Sequence, residues 1–440
     1  MSIFRPILKD KEFNLQKRLR LLEATMAGVG FILGAGIYVL IGAVASYTGP
    51  AIWLSFVLAG FAALTSGLSY AELSSMYPTA ESEYIYAKEG LGKKYGFFAY
   101  ISVILALTIG ISGVSLGFAS YFAELTGISN LTIIAITIII LFSLLNWYSI
   151  KHAARVTFIS TIISIIGLLS IVAIALFSGQ TQSPNYFEMP QGLIGIIQGA
   201  SLIFFAYLGF EGIVKIADET KNARKNIPKA IILAIIISTI VYIAVAIAAV
   251  TVLPWQDLAS SSAPLADVAA AVLGNKAFTI LAIIALFSTA NTILMGILSS
   301  SRGFYGLGQI FKKFKTLSKI GKRNTPTKAI IITALIAMTF LIFDDISTIV
   351  GFTNFLIFAT FIIINAAAIN LRYKKPNERR KFKMPLNAGK LPIFSVLGIL
   401  VSLLLLFNLQ LLHIISGAIG TIAIFLIYKI FYNKETKTET

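Results

Sequence analysis

The chain has no cysteine and only two histidines. Without cysteine, disulfides and thiolate metal sites are excluded. His152 and His413 read as lying in a loop and a turn, with no ligand company around either, so neither is given a metal role and no resident cofactor is expected. Charge is scarce as well. Charged residues make up 12% of the chain against 57% hydrophobic, whereas soluble domains carry about 25% charged residues. There is too little polar surface here to face water on all sides. Acidic residues are the rarer sign, 19 against 36 basic, which leaves a net charge of +17. Residues 1–20 are basic but lack an apolar core and a small-residue cleavage site, so no cleavable signal peptide is expected.

What the chain does have is repeated apolar runs of about 20 residues, the length a helix needs to cross a bilayer. Polar breaks divide them into about twelve spans, near 21–47, 50–76, 95–123, 131–150, 156–178, 193–217, 228–253, 277–306, 327–343, 346–371, 391–409 and 411–431. As one helix, residues 327–371 would measure about 67 Å, roughly twice the hydrocarbon thickness. Asp344 and Asp345 stand where the turn should be. Asn408, Gln410 and His413 mark the corresponding bend in 391–431. Alternating the loops between two sides then places 35 of the 36 Lys and Arg on one side, with only Lys276 on the other. By the positive-inside rule both termini are cytoplasmic. The basic charge is thus a topology signal. Short basic loops without interleaved aromatic platforms give no reason to expect nucleic acid as a partner; the expected partners are the lipid bilayer and a small molecule, with oligomeric state left open.

The expected fold is therefore an all-α polytopic membrane protein. It comprises a cytoplasmic N-terminal segment (1–20), a first five-helix block (21–178), a second five-helix block (193–371), a C-terminal helix pair (391–431) and a cytoplasmic tail (432–440). The loops 178–192, 254–275 and 372–390 are too short to fold alone. The tail "NKETKTET" reads as solvated.

Two spans weaken themselves. "GVGFILGAGIY" (Gly28–Tyr38) carries four glycines, each costing a helix interior roughly 1 kcal/mol relative to alanine. One reading is close helix packing, since Gly30 and Gly34 form a GxxxG. The other is an unwound midpoint whose bare N–H groups and carbonyls hold a ligand. In "SLIFFAYLGFEGIVKIADE" (Ser201–Glu219), Gly209, Glu211 and Gly212 interrupt the sixth span. Glu211 would lie roughly a third to halfway into the bilayer, where a carboxylate is costly and by default functional. Interruptions in spans 1 and 6 open two blocks of five helices that begin on opposite sides. That arrangement points to an inverted-repeat transporter with its site between the breaks. No residue-level identity links the halves, so the 5+5 repeat rests on topology.

"GVGFILGAGIY", "YAELSSMYP" (Tyr70–Pro78), "EYIYAKEGLG" (Glu83–Gly92), "FFAYLGFEG" (Phe204–Gly212) and "ETKNARKNIPKAI" (Glu219–Ile231) occur here in the order and span context of the amino acid–polyamine–organocation permeases. The chain resembles that family over residues 20–431. One departure is the Glu81–Ser82–Glu83 that replaces the paired glycines the family often has before its Tyr-x-Tyr. The resemblance implies a LeuT-like fold and secondary active transport of amino acids by alternating access across the cell membrane. It implies that the N–H groups of Ala35 and Gly36 receive a substrate carboxylate, where a half-helix N-terminus carries about half a positive charge. It further implies that the carbonyls of Ile32, Phe205 and Ala206 accept from the α-ammonium, with Phe205 as an aromatic lid and Gly34 and Gly36 leaving room. Phe204 and Gly209 complete the expected substrate-binding set, and packing alone is the alternative for Phe205.

Glu211 reads as a protonatable gate, as an anchor for the unwound span, or as a purely structural carboxylate; Glu72 reads as structural. The expected coupling cation is Na+, with H+ coupling through Glu211 or plain exchange as the alternatives. Span 5 carries no charge between Thr157 and Phe177, and Ser164 matches the position where many relatives carry a lysine. Ala285, Ser288 and Thr289 share one face of span 8. With the carbonyls of Gly30 and Leu33 they resemble a five-oxygen Na+ site. The bland reading is hydroxyls bonded back to carbonyls one turn earlier. Since only Glu211 could answer a cationic side chain, neutral amino acids are the expected substrates; a cationic amino acid or polyamine permease is the alternative. No HExxH or comparable catalytic set exists, so an enzyme is not expected. A channel would need a filter-like loop or an acidic ring, and a transporter-like sensor would need a signalling domain.

Overall fold

The computed structural model describes residues 19–148, 150–177, 184–321, 323 and 325–435. The N-terminal segment to residue 18, the tail from 436, and the side chains of Lys151, His152 and Arg155 lie outside the described residues. Apart from one two-stranded hairpin, Asn387–Ala388 with Leu391–Pro392, the described residues form helices and connections.

Each of the twelve apolar runs is helical. Among the described residues, nine stretches are long and apolar enough to cross a membrane when Ala35–Met76 is counted as one. The 3-10 turn Gly49–Ala51 divides that stretch, and Gly49 takes φ 58° to make the corner. Shorter apolar helices complete the set: Leu21–Ile32, Thr327–Phe343 and Ile393–Phe407. The turn between spans 9 and 10 falls on the two aspartates. Asp344 adopts φ 48°, and Asp345 caps the next helix by accepting from the Thr348 N–H at 2.7 Å. Asn408 and Gln410 lie in the bend between spans 11 and 12, but His413 lies within span 12, which starts at Leu411. His152 likewise falls in the first turn of span 5 rather than in a loop, because that helix starts at Ile150. The last helix runs to Glu435, so the tail expected from 432 begins as helix.

The two blocks of five pack alike. Span 2 lies on span 7 and span 3 on span 8. The first half of span 1 packs on span 7, and the first half of span 6 packs on span 2. Spans 3 and 10 pair as do spans 8 and 5; 3 and 4 as do 8 and 9; 3 and 9 as do 8 and 4. Exchanging spans 1–5 with 6–10 therefore maps these contacts onto one another. The same exchange explains two helices not anticipated between spans. Ser82–Leu91, after span 2, rests on spans 3 and 10; Pro264–Leu273, after span 7, rests on spans 8 and 5. The loop 254–275 is thus largely helical, held by its packing on the spans rather than by a core of its own.

Large apolar side chains remain on the outside of the bundle at mid-helix, among them Ile133, Leu141, Leu169, Ile240, Ile280 and Ile419. Such a belt on a multi-pass helical bundle faces lipid. Around the glycine-rich midpoints, by contrast, the side chains are buried.

Candidate functional site

Span 1 is broken at Leu33–Gly34, between helices Leu21–Ile32 and Ala35–Thr48. Span 6 unwinds from Phe204 to Glu211. A 3-10 turn, Phe204–Tyr207, is followed by an extended Leu208, by Gly209 at φ 124°, and by a helical restart at Gly212. Gly209 is required there, because its φ is in the region side chains avoid and a Cβ would stand 2.6 Å from the Phe31 carbonyl oxygen. The two breaks meet directly. A Cβ on Gly36 would lie 2.5 Å from the Cα of Ala206. The glycine is what lets backbone reach backbone.

Three side chains that the sequence reading did not single out serve these breaks. Tyr242, buried on span 7, donates its hydroxyl toward the carbonyls of both Ile32 (2.6 Å) and Ala206 (2.9 Å). The Ile32 carbonyl also accepts the Gly34 N–H at 2.7 Å, so acceptor capacity for a further donor remains at the Ala206 carbonyl. Thr292 on span 8 accepts from the Ala35 N–H at 3.1 Å, and its hydroxyl occupies the space a Gly34 side chain would need. Among the described residues no such partner serves Gly36. Thr161 on span 5 faces Gly30, whose Cβ would lie 2.6 Å from its methyl. Ser164, three residues on, is turned elsewhere: its carbonyl accepts from Tyr38 and its hydroxyl donates to the Ser160 carbonyl. Both span 8 and span 7 carried a signal. Thr292 extends the stripe Ala285–Ser288–Thr289 by one turn, and Tyr242 is a lone polar tip in an aliphatic run.

The residues expected to bind fall into two groups. Ile32, Gly34, Ala35, Gly36, Phe205, Ala206 and Gly209 lie at the breaks. The Phe205 ring lies against span 3, where a Gly110 Cβ would be 2.9 Å from it, with Thr353 of span 10 next to Gly110. Phe204 instead packs into the aromatic core, 4.9 Å from Phe358 and 5.7 Å from Phe361 between ring centres. Glu211 is buried and accepts the Gly209 N–H at 3.0 Å, tying the unwound segment. In span 8 the Thr289 hydroxyl donates to the Ala285 carbonyl at 2.8 Å, while the buried Ser288 hydroxyl has no partner among the described residues. Leu33 is buried at the break itself.

Tyr242 provides a direct check on this geometry. Removing its hydroxyl leaves the buried Ala206 carbonyl without a donor among the described residues, at about 1–3 kcal/mol, and leaves the Ile32 carbonyl with only the Gly34 N–H at 2.7 Å. Tyr242→Phe is expected to lower the melting temperature of the purified protein and to slow transport about tenfold, a barrier change near 1.4 kcal/mol. Unchanged melting and rate would show that the hydroxyl does not bridge the breaks.

Glu72, read as structural, is one. At 1% exposed it accepts from Arg372 Nε at 2.6 Å, Arg380 Nε at 3.1 Å and the Met384 N–H at 2.9 Å. This closes the connection between spans 10 and 11 over the end of span 2.

A family model described as amino acid permease matches residues 19–430. A branched-chain amino acid permease of Bacillus subtilis is 29% identical, the alignment covering 97% of this chain and 95% of that relative. A methylthioribose transporter of the same organism is 28% identical over 95% of each. A vacuolar cationic amino acid transporter of Arabidopsis thaliana is 28% identical over 84% of this chain and 66% of its own.

Proposed function

Because the chain belongs to the amino acid permease family, we propose that it carries neutral amino acids across the cell membrane by alternating access, driven by a coupled cation, with its basic face in the cytoplasm. The observation that carries this reading is the backbone contact of the two breaks at Gly36 and Ala206, flanked by paired carbonyls on one side and a half-helix N-terminus on the other. A zwitterion matches that arrangement. Its ammonium can use the spare acceptor capacity of the Ala206 carbonyl and take the place of a donor at Ile32. Its carboxylate can take the Gly36 N–H and displace the Thr292 hydroxyl from Ala35.

The neutral class follows from the lining. Gly110, Thr292 and Thr353, from spans 3, 8 and 10, are uncharged, and the carboxylate of Glu211 is turned to the backbone of its own segment. The relatives do not decide among substrates, since an amino acid permease and a methylthioribose transporter match almost equally well. In proteoliposomes, uptake of labelled leucine or alanine is expected to be competed by other neutral amino acids and not by arginine. Competition by arginine alone would overturn the substrate class. The absence of uptake or counterflow for every neutral amino acid would overturn the reading itself.

A further inference from the structure

Four polar side chains cluster beside the restart of span 6, none more than 2% exposed: Tyr70 of span 2, Glu83 and Tyr86 of the helix Ser82–Leu91, and Glu211. The Tyr70 ring meets Tyr86 edge-on at 6.0 Å and Phe210, the neighbour of Glu211, at 5.7 Å. The Tyr70 ring thus reaches from the helix bearing Glu83 to the residue before Glu211, and the Glu83 charge acts on Glu211 and on both tyrosines. Glu211 Oε2 accepts the Gly209 N–H and Glu83 Oε2 accepts the Ser82 hydroxyl, each at 3.0 Å. Three buried atoms aimed at this cluster have no partner among the described residues: Glu83 Oε1 and the hydroxyls of Tyr70 and Tyr86.

Among the described residues few charges face the pair. Lys215, half-buried on the same segment, acts on Glu211. Span 3 brings Tyr100, which feels Glu81 and Glu83. Span 10 brings Lys374 to the Gly90 carbonyl and Lys375 to Glu89, at the far end of the helix. Span 1 approaches with Phe31, which is apolar. Two carboxylates shielded from water carry both a desolvation cost and a mutual repulsion. A proton on one of them removes the repulsion and that group's own desolvation cost, and supplies a donor for an unpartnered tyrosine hydroxyl.

We infer that Glu83 and Glu211, with the hydroxyls of Tyr70 and Tyr86, form one proton-binding site, and that this proton is the cation coupled to transport. The inference rests on the permease reading above. An O–H bond forms on one carboxylate with a proton taken from water on one side of the membrane. It breaks when that proton passes to water on the other. The site joins two moving parts. Glu211 holds the unwound backbone of span 6, while the helix bearing Glu83 is tied to span 10, where Asn370 donates to the Gly90 carbonyl at 2.9 Å. With the proton bound, the hydrogen-bonded cluster holds helix and span together. Once it leaves, two like charges drive them apart.

The test compares wild type with Glu83→Gln in proteoliposomes free of sodium. Wild type is expected to accumulate a neutral amino acid under an imposed pH gradient. Glu83→Gln is expected to lose at least tenfold of that accumulation while keeping substrate counterflow. Pulsed pH changes on purified wild-type protein are expected to give a protonated-carboxyl carbonyl band in infrared difference spectra, reduced in Glu83→Gln. Accumulation by Glu83→Gln equal to wild type, wild-type accumulation only under a sodium gradient, or a band unaltered by the substitution would each overturn the proton site. Should neutral amino acids fail to show counterflow in wild type, the function reading falls, and the infrared band alone then decides this inference.

Discussion

Gly36→Val is expected to abolish uptake in proteoliposomes, and Gly36→Ala to reduce it at least tenfold, a loss of about 1.4 kcal/mol or more. The Cβ that alanine adds would lie 2.5 Å from Ala206 Cα, 2.7 Å from its Cβ and 3.2 Å from its nitrogen. Two of these three are main-chain atoms, which cannot swing aside as a long side chain does. Their segment is held on both flanks: Tyr242 engages the Ala206 carbonyl, and the Tyr207 hydroxyl donates to the Phe56 carbonyl at 2.8 Å. Room can be made only by parting the breaks, which separates the carbonyls and N–H groups that together address a zwitterion. Overpacking a tight interior by single methyl groups costs about 1–3 kcal/mol, and here the whole strain falls on the site. Gly420 of span 12 is the control, since an added Cβ there meets nothing within 4 Å. Gly420→Ala should transport as wild type. Normal transport by Gly36→Val would mean that the breaks do not touch.

The second large effect concerns stability. Arg372→Ala is expected to destabilise the protein by about 3–5 kcal/mol, as loss of one partner from a buried ion pair does. Glu72 would lose its two shortest donors, Nε and Nη2 of Arg372, and would remain buried with Arg380 and the Met384 N–H. The effect reads out as a lowered apparent melting temperature in detergent. The double variant Glu72→Gln/Arg372→Met should recover only part of it, because no carboxylate is then left buried but Arg380 loses its ion pair. Equal melting for Arg372→Ala and wild type would show the connection to be anchored elsewhere. Beside it, the Glu89 carboxylate holds the exposed Lys375 ammonium above its usual pKa, a solvent-screened contact from which little stability is expected.

Much of this architecture was legible in the sequence because the bilayer imposes length and glycine imposes breaks. Asp344–Asp345 could be read as a turn since two adjacent carboxylates have no place at mid-membrane. Close helix packing competes with a break at Gly28–Tyr38 until Gly209, Glu211 and Gly212 are seen to interrupt Ser201–Glu219, because a carboxylate among glycines has no place inside a stable membrane helix. The helices Ser82–Leu91 and Pro264–Leu273 were not legible. They are short, and their helicity comes from the spans on which they lie. Tyr242, Thr292 and Thr161 were missed for a related reason. Their partners are main-chain groups and glycine positions far along the chain (the Ala35–Thr292 bond spans 257 residues), which no local pattern encodes. The repeat itself appears in the pairing of helices and not in any shared residues.

Leu19, just before span 1, donates to the Glu219 carbonyl at 3.0 Å and accepts from the Lys221 N–H at 2.8 Å, forming a parallel bridge to the stretch that follows span 6. Higher up, the Phe31 carbonyl abuts Gly209. The leading half of span 1 and the trailing half of span 6 are thus riveted top and bottom. Neither can tilt without breaking these contacts, so a displacement of one would carry the other with it, with Gly34 and Leu208 as the points where the chain would bend.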